Sequence, residues 1–178
     1  WAADQCKQRC WTLTFSVDQL NKIMRLDTSK HHLIPWAPSH LYLCELNDFD
    51  QQTMALIEDY QKHLQSYADV GLAFTVIGKG EIHAMFGLWY LWSGVAEAWL
   101  MPSKHIDKKT IALHRGSLRF FEYAANETGI KRLQFTVNSQ NVRADRWARR
   151  CHFQKEGVLK HYGPDGSDYF MYARIFDG

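Results

Sequence analysis

The sequence contains no apolar run of 18 residues, and 22% of its 178 residues are charged. Because a helix needs roughly 20 mostly apolar residues to cross a bilayer, the sequence predicts no transmembrane helix. The first residues lack the basic, then apolar, then small-residue order of a signal peptide, so none is predicted. The apolar fraction of 46% excludes a disordered chain, and the length favours one globular domain.

Cysteines are few, and metal-ligand motifs are missing. Of the four cysteines, Cys6 and Cys10 are four residues apart, while Cys44 and Cys151 are isolated. This spacing is not that of a disulfide framework, so it favours reduced thiols in the cytosol. The nine histidines are scattered, and neither HExxH nor CxxC occurs, so the sequence predicts no metal site.

The whole chain lacks a large charge of one sign, since its net charge is only +2, but its parts differ. Residues 104–150 carry 11 Lys and Arg against 4 Asp and Glu, whereas residues 1–103 carry 7 against 11. A basic block of this kind indicates an anionic partner on one face, which could be a phosphate, a nucleotide, a nucleic acid or an acidic protein.

Residue patterns in the first 70 positions predict one strand and two helices. Ser16 and Gln19 have the spacing of a capping box, and they precede an apolar helical face. Pro35 and Pro38 are breakers that favour a loop. The predicted elements are a strand over 12–15, a short helix after Ser16, a loop over 31–40 and a helix from about Asp50.

The second part of the chain alternates strands with two helices. The expected elements are strands over 72–77, 81–89 and 94–101, a helix over about 108–128, a strand over 132–137, a helix over 141–150, and strands over 157–162 and 168–176. Asp107 and Gly129 bound the long helix, and the β–α–β unit around it requires one parallel strand pair. The predicted fold is an α/β domain with a mixed, mostly antiparallel central sheet flanked by helices. Residues 1–69 supply its N-terminal strand and helices, and residues 70–178 its core sheet.

Two strings in the second half resemble those of a known family. The string from Glu97 to Pro102 is a strand that ends in an apolar-x-Pro pattern before a helix, and an Asn-x-x-Ala string at residues 141–144 opens the next helix. Together with the order of elements over 70–176, they resemble the GNAT superfamily of acyl-CoA-dependent N-acetyltransferases. The resemblance implies a GNAT-like sheet, acetyl-CoA as cofactor, and an amine on a small molecule or a protein as acceptor.

The resemblance also implies a site. Glu97 is the first candidate for the general base that removes a proton from the amine, and Glu81 and His83, which alternate on the neighbouring strand, are the second. Backbone groups of Leu100 and Met101 would bind the pantetheine arm. The remaining candidate cofactor-binding residues are Ser103, Lys104, Lys108, Lys109 and Asn141, most of them near a helix start that favours anions. For each of these residues an ordinary polar or solvent-exposed position is the alternative.

Two departures from the family pattern concern the chemistry directly. The glycine-rich pyrophosphate loop is absent, because residues 103–116 contain no glycine before Gly116. Lysines can supply point charges there, but they do not replace the close backbone approach that glycine allows. Ala148 stands where many relatives place a tyrosine that protonates the leaving thiolate.

A second and more diffuse resemblance covers residues 94–176. It is to degenerate GNAT-like proteins of short-tailed bacteriophages, including internal virion proteins. It implies the alternative of a non-catalytic structural protein that acts through protein–protein contacts. The enzyme is expected in the cytoplasm of a bacterium or an infected host, and the structural protein in the virion.

Four arginines form a second basic cluster on the helix over 141–150. They are Arg143, Arg146, Arg149 and Arg150, of which the first, second and fourth share one helix face. A solvated face is the simplest interpretation, and an acidic protein or a phosphate backbone is the alternative. Nucleic acid is the less favoured partner because no base-stacking aromatic residues interleave with the arginines.

Overall fold

A computed structural model describes residues 15–106 and 110–176, without the side chains of Tyr67, Val70 and Thr110. The helices in chain order are α1 Val17–Met24, α2 His40–Leu43, α3 Asp48–Leu56, α4 Tyr60–Val70, α5 Thr110–Thr128 and α6 Val142–Arg150. The strands are β1 His32–Pro35, β2 Gly71–Gly78, β3 Glu81–Trp92, β4 Val95–Pro102, β5 Arg132–Asn138, β6 Gln154–Leu159 and β7 Tyr169–Ile175.

The strands form a seven-stranded sheet in the order β1-β2-β3-β4-β5-β7-β6. All neighbouring pairs are antiparallel except β4 and β5, which are parallel and are connected through α5. The predicted fold class is therefore confirmed, including its single parallel β–α–β unit.

The parallel pair is short, and this positions the site. Only three residue pairs join β4 to β5, from Val95 opposite Arg132 to Glu97 opposite Gln134. Beyond Glu97, residues 98–102 pair only with β3, and residues 135–138 pair only with β7. The two halves of the sheet thus separate along a gap between residues 98–102 and residues 135–138, which we call the β4–β5 cleft.

Two cores cover the two faces of the sheet. The larger core packs α1, α5 and α6 against one face, and its fully buried side chains include Leu20, Phe120 and Tyr172. The smaller core packs residues of α2, α3 and α4 against the other face around Met85 and Leu64. Alternation along β4 sends Ala96 and Ala98 into the larger core, so the intervening Glu97 side chain points to the opposite face.

Two predicted helix ends are confirmed, and the predicted cap Asp107 lies outside the described residues. The Ser16 hydroxyl accepts a hydrogen bond from the Gln19 amide at 3.1 Å, which starts α1. Gly129 has φ +68° directly after α5, and this left-handed conformation ends the helix.

Four sequence predictions in the flanking regions need correction or lie outside the described residues. Residues 32–35, expected in a loop, form the edge strand β1, where Pro35 is tolerated because it ends the strand. The helix expected from about Asp50 is two helices, interrupted next to Asp59, which has φ +53°. The strand expected over 157–162 is β6, which begins and ends three residues earlier. The strand expected over 12–15 lies outside the described residues except for Phe15.

Candidate functional site

Glu97 lies at the point where the β4–β5 cleft begins. Its side chain is half-buried, and burial raises the pKa of its carboxyl group above the usual 4.5. A hydrogen bond from Nε2 of Gln134 to Oε2 of Glu97, at 3.4 Å, acts in the opposite direction. The side chain therefore holds a carboxylate with raised basicity beside the vertex of the cleft.

A hydrogen-bonded row orients Gln134 toward this carboxylate. Glu156 on β6 forms an ion pair with Arg132 at 2.5 Å, and Arg132 Nε donates to Oε1 of Gln134 at 2.9 Å. The amide oxygen of Gln134 is thereby occupied, and its NH₂ group faces Glu97. Glu156 has a cationic partner, whereas among residues 15–106 and 110–176 no ion pair is formed by Glu97.

Tyr162, which the sequence analysis did not single out, belongs to the same region. Burial and the charge of Glu97, in that order, raise the pKa of the Tyr162 phenol above its usual value of 10.0. A hydrogen bond with the Thr136 hydroxyl on β5 acts against them. Position 162 precedes the Gly-Pro-Asp-Gly turn, so the sequence signals a loop there, but not the direction in which the ring points.

Glu81 and His83 lie at the other end of the strands. Trp89 is the β3 residue opposite Glu97, and His83 is six residues from it, or roughly 20 Å along the strand. His83 is buried and contacts the ring of His31 at 5.0 Å, and Glu81 is exposed beside the β2–β3 turn. The structure does not bring these two residues together with Glu97.

Leu100 and Met101 line the edge of the cleft through their backbone. Their side chains are in opposite cores, since Leu100 packs on the larger one and Met101 is buried in the smaller one. Toward β3 they pair with Phe86 and Met85. Their other backbone edge faces the gap where β5 has separated, and among the described residues no strand pairs with it.

The segment after β4 is held to the α2–α3 region. Ser103 is buried, its amide donates to His83 O at 2.9 Å, and it forms a bridge with Leu46. Lys104 pairs with Glu45 at 2.7 Å. One of the basic side chains expected to bind phosphate is thus already neutralised, and Lys108 and Lys109 lie outside the described residues.

Asn141 and Ala148 both have structural surroundings on α6. The side chain of Asn141 accepts a hydrogen bond from the Ala144 amide at 3.1 Å and caps the helix. Ala148 is 0% exposed in the larger core. A proton donor therefore cannot come from this position.

The arginines of α6 are all exposed. Arg149 pairs with Asp145 at 3.0 Å, and Asp145 also accepts a hydrogen bond from the buried Tyr172 hydroxyl. Arg146 and Arg150 remain on the solvent side. Burial, the larger cause, and the charge of Arg150 together lower the pKa of His114.

Metal-ligating clusters and activated thiols are absent from the part of the chain that the structure describes. The residues that the structure describes contain no cluster of three or more metal-ligating side chains and no helix long and apolar enough to cross a membrane. Cys44 and Cys151 are buried free thiols, and burial raises their pKa values to about 11 and about 12. Neither thiol is activated as a nucleophile.

Comparison with known proteins identifies the fold. No family model matches the sequence, and no curated protein matches it. Among solved structures, the chain resembles RimL, a ribosomal L7/L12 α-N-protein acetyltransferase in complex with coenzyme A, with 18% identity and a TM-score of 0.63 over 84% of this chain and 96% of that one. It also resembles Ard1 from Thermoplasma volcanium, with 13% identity and a TM-score of 0.67 over 84% and 99% of the two chains. A GNAT-family acetyltransferase from Bacillus anthracis gives 16% identity and a TM-score of 0.62 over 82% and 95%.

These likenesses establish a GNAT-like fold. RimL is an α-N-protein acetyltransferase, and the Bacillus anthracis protein is an acetyltransferase of the GNAT family. The matches cover nearly the full length of all three neighbours. At identities of 13–18% the agreement concerns the fold.

Proposed function

We propose that this protein is an acyl-CoA-dependent N-acyltransferase that transfers an acetyl group from acetyl-CoA to an amine, with Glu97 as the general base. The observation that carries the proposal is the half-buried carboxylate of Glu97, which has no cationic partner among the described residues and lies where β4 and β5 separate. An ammonium group of a substrate would supply the missing partner. After losing its proton to Glu97, the amine would become a nucleophile.

The raised pKa of Glu97 favours this role. A general base works best when its pKa is near the operating pH, and burial moves this carboxyl group in that direction. Gln134 holds the carboxylate in place through its amide, which is itself fixed by Arg132. Glu97 thus binds the ammonium, accepts its proton and keeps its orientation.

The residues present fit acetyl-CoA in part. The open backbone edge of residues 98–102 can bind the pantetheine arm as an added strand, and the cofactor supplies a thioester activated toward amines. For the phosphates, Ser103 and Lys104 are close to the end of β4, but Lys104 already pairs with Glu45. Phosphate binding would therefore depend on exchange of this exposed ion pair and on Lys108 and Lys109.

The acceptor is proposed to be a primary amine of a small molecule or a protein. RimL, one of the structural neighbours, is an α-N-protein acetyltransferase of a ribosomal protein. We propose a cytoplasmic location for the enzyme.

The test is acetyl transfer by the Glu97→Gln variant. Wild-type protein is mixed with acetyl-CoA and probe amines, and the release of CoA thiol is followed together with the mass of the product. Loss of a general base predicts a fall in kcat of about 10²–10⁴ with acetyl-CoA binding retained. The matched control is Glu122→Gln, which removes an exposed carboxylate that pairs with Arg174 at 2.9 Å and lies on α5, on the other side of the sheet from the Glu97 side chain, so this variant should keep its activity. Equal activity of the Glu97→Gln variant and wild type would contradict the role of Glu97.

A non-catalytic virion protein is the second candidate. The pairing of Lys104 with Glu45 and the burial of Ala148 favour it, because both remove groups that acyl transfer would use. In that case the exposed arginines of α6 would bind an acidic protein, or less favourably a nucleic acid, within the assembly. No heat on titration of wild-type protein with millimolar acetyl-CoA would support this candidate and exclude the enzyme.

A further inference from the structure

The ion pair between Arg132 and Glu156 spans a whole strand of the sheet. Glu156 lies on the edge strand β6 and Arg132 on β5, and β7 separates these two strands. The pair is bidentate, since Nη1 and Nη2 of Arg132 donate to the two carboxylate oxygens of Glu156 at 2.9 Å and 2.5 Å. Ala173, the β7 residue opposite Gln134, has a small side chain that leaves room for this crossing. The pair thus fixes a guanidinium group beside Gln134.

Arg132 determines which end of the Gln134 side chain faces Glu97. A glutamine amide has an oxygen that accepts hydrogen bonds and an NH₂ group that donates them. Nε of Arg132 donates to Oε1 of Gln134 at 2.9 Å, which leaves Nε2 to donate to Oε2 of Glu97 at 3.4 Å. Without Arg132 the amide would be free to turn its oxygen toward the carboxylate, and the two acceptors would repel each other. Glu97 would then lose both this hydrogen bond and its orientation.

Glu156 balances the positive charge that Arg132 brings toward the base. A cation near a carboxylate favours the ionised form and lowers its pKa. Two hydrogen bonds and one amide group separate the Arg132 guanidinium from Glu97, and in a partly buried site charges still interact over such a distance. Because Glu156 offsets this charge, burial keeps the pKa of Glu97 above its usual 4.5. Arg132 therefore orients Gln134 without making Glu97 a weaker base.

We infer that Arg132 and Glu156 are positioning residues that act on Glu97 through Gln134. Arg132 fixes the amide that holds the carboxylate, and Glu156 cancels the charge of Arg132. The inference rests on the proposed function, in which Glu97 is the general base, and it extends the site to the edge strand β6. A purely structural ion pair would behave differently. If the inference is right, removal of the anion and removal of the cation change the proton affinity of Glu97 in opposite directions.

The test is an NMR titration of the Glu97 carboxyl group. In protein that contains ¹³Cδ-labelled glutamate, the Glu97 resonance is assigned by its loss in Glu97→Gln. In Glu156→Gln the bond from Arg132 to Gln134 remains but the charge of Arg132 is unbalanced, so the pKa of Glu97 should be lower than in wild type. In Arg132→Met the cation and the fixed amide are both lost, so that pKa should be higher than in wild type.

Acetyl transfer gives a second readout. In Glu156→Gln the acidic limb of the kcat–pH profile should move to lower pH, because it follows the pKa of Glu97. In Arg132→Met kcat should fall roughly 10-fold with an unchanged KM for acetyl-CoA, because the base is no longer held in place. Arg132→Met/Glu156→Gln restores the charge balance but does not hold Gln134, so its kcat should stay low.

A matched control lies on the other side of the sheet. Glu122→Gln removes the anion of an ion pair with Arg174, whose atoms are 2.9 Å apart. Like Glu156→Gln, it leaves an arginine without its carboxylate partner, but far from the Glu97 side chain. This variant should change neither the Glu97 titration nor the kcat–pH profile.

The outcomes separate this inference from the proposed function. Shifts of the Glu97 pKa in the same direction in Glu156→Gln and Arg132→Met, or no shift in either, would overturn the inference and leave the proposed function standing. A kcat of Arg132→Met equal to that of wild type would overturn the positioning role of Arg132. Wild-type protein that transfers no acetyl group would overturn the proposed function, whereas opposite shifts in the two variants would still confirm that the ion pair controls the titration of Glu97.

Discussion

The Tyr172 hydroxyl allows a stability prediction with a worked magnitude. Tyr172 is fully buried on β7, and its hydroxyl donates to Asp145 on α6, which also accepts from Arg149 Nε at 3.0 Å. Tyr172→Phe removes one hydrogen bond to a charged acceptor, and such bonds contribute about 1.5–3 kcal/mol. Asp145 keeps Arg149, and 19% of its side chain is exposed to water. We therefore expect the free energy of unfolding to fall by about 1.5–2 kcal/mol, near the lower end of this range.

For a domain of this size the loss corresponds to a Tm lower by about 3–8 °C. The hydrogen bond from Tyr172 is the first cause of the lowered pKa of Asp145. A lowered pKa in the folded state contributes stability above the unfolded value, near 3.8, and loses it as the pH falls through the folded value. The deficit of Tyr172→Phe should thus be full at pH 7 and shrink below about pH 4.

Differential scanning calorimetry at pH 7 and pH 3 measures both effects. Tyr42→Phe is the control, because Tyr42 is 72% exposed and should show no change. A Tm of Tyr172→Phe within about 1 °C of that of Tyr42→Phe at pH 7 would refute the reasoning.

Two further predictions concern Glu97 and the close packing of the sheet. The pKa of Glu97 is raised above 4.5, so its ionisation lowers the stability of the folded state as the pH rises through the folded pKa. Glu97→Gln should therefore have a higher Tm than wild type at pH 7 and the same Tm at pH 4. Glu156→Gln should have a lower Tm than wild type at pH 7, because Arg132 lowers the pKa of Glu156. Thermal scans in which the Tm of both variants shifts in the same direction would contradict these expectations. A Cβ at Gly87 would lie 2.1 Å from the Leu72 carbonyl oxygen and 2.6 Å from Trp99 Nε1, so Gly87→Ala should lose about 3 kcal/mol or more in urea unfolding. A Cβ added at Gly157 has no neighbour within 4 Å among the described residues, so Gly157→Ala should change the free energy of unfolding by no more than about 0.5 kcal/mol. Equal urea midpoints for the two variants would show that the structure relieves the contact at Gly87 without loss of stability.

The sequence predicted elements whose signals are local. The period of apolar residues and Gly129 located α5, and the β–α–β rule then required the parallel pair of β4 and β5. Edge strand β1 was missed because it is short and lies in a segment with two prolines, Pro35 at its end and Pro38 after it, which is typical of a loop. Its pairing with β2 is a tertiary contact. The interruption of the helix next to Asp59 was missed because a single left-handed residue leaves little trace in apolar spacing.

The role of the candidate site stays a prediction. Glu97 was a candidate because the resemblance to the GNAT superfamily implies a base on its strand, which was recognisable from the sequence. The separation of His83 from Glu97 depends on the register of β3 against β4, in which Trp89 lies opposite Glu97. The pairing of Lys104 with Glu45 and the reach of Tyr162 toward Glu97 join segments distant in sequence, and no local pattern encodes them.

A crystal structure of the protein with acetyl-CoA tests the central claim most directly. We expect ordered density for the pantetheine arm between residues 98–102 and residues 135–138, with the thioester next to Glu97. A cleft that stays free of ligand at millimolar acetyl-CoA, with Lys104 still paired to Glu45, would contradict it.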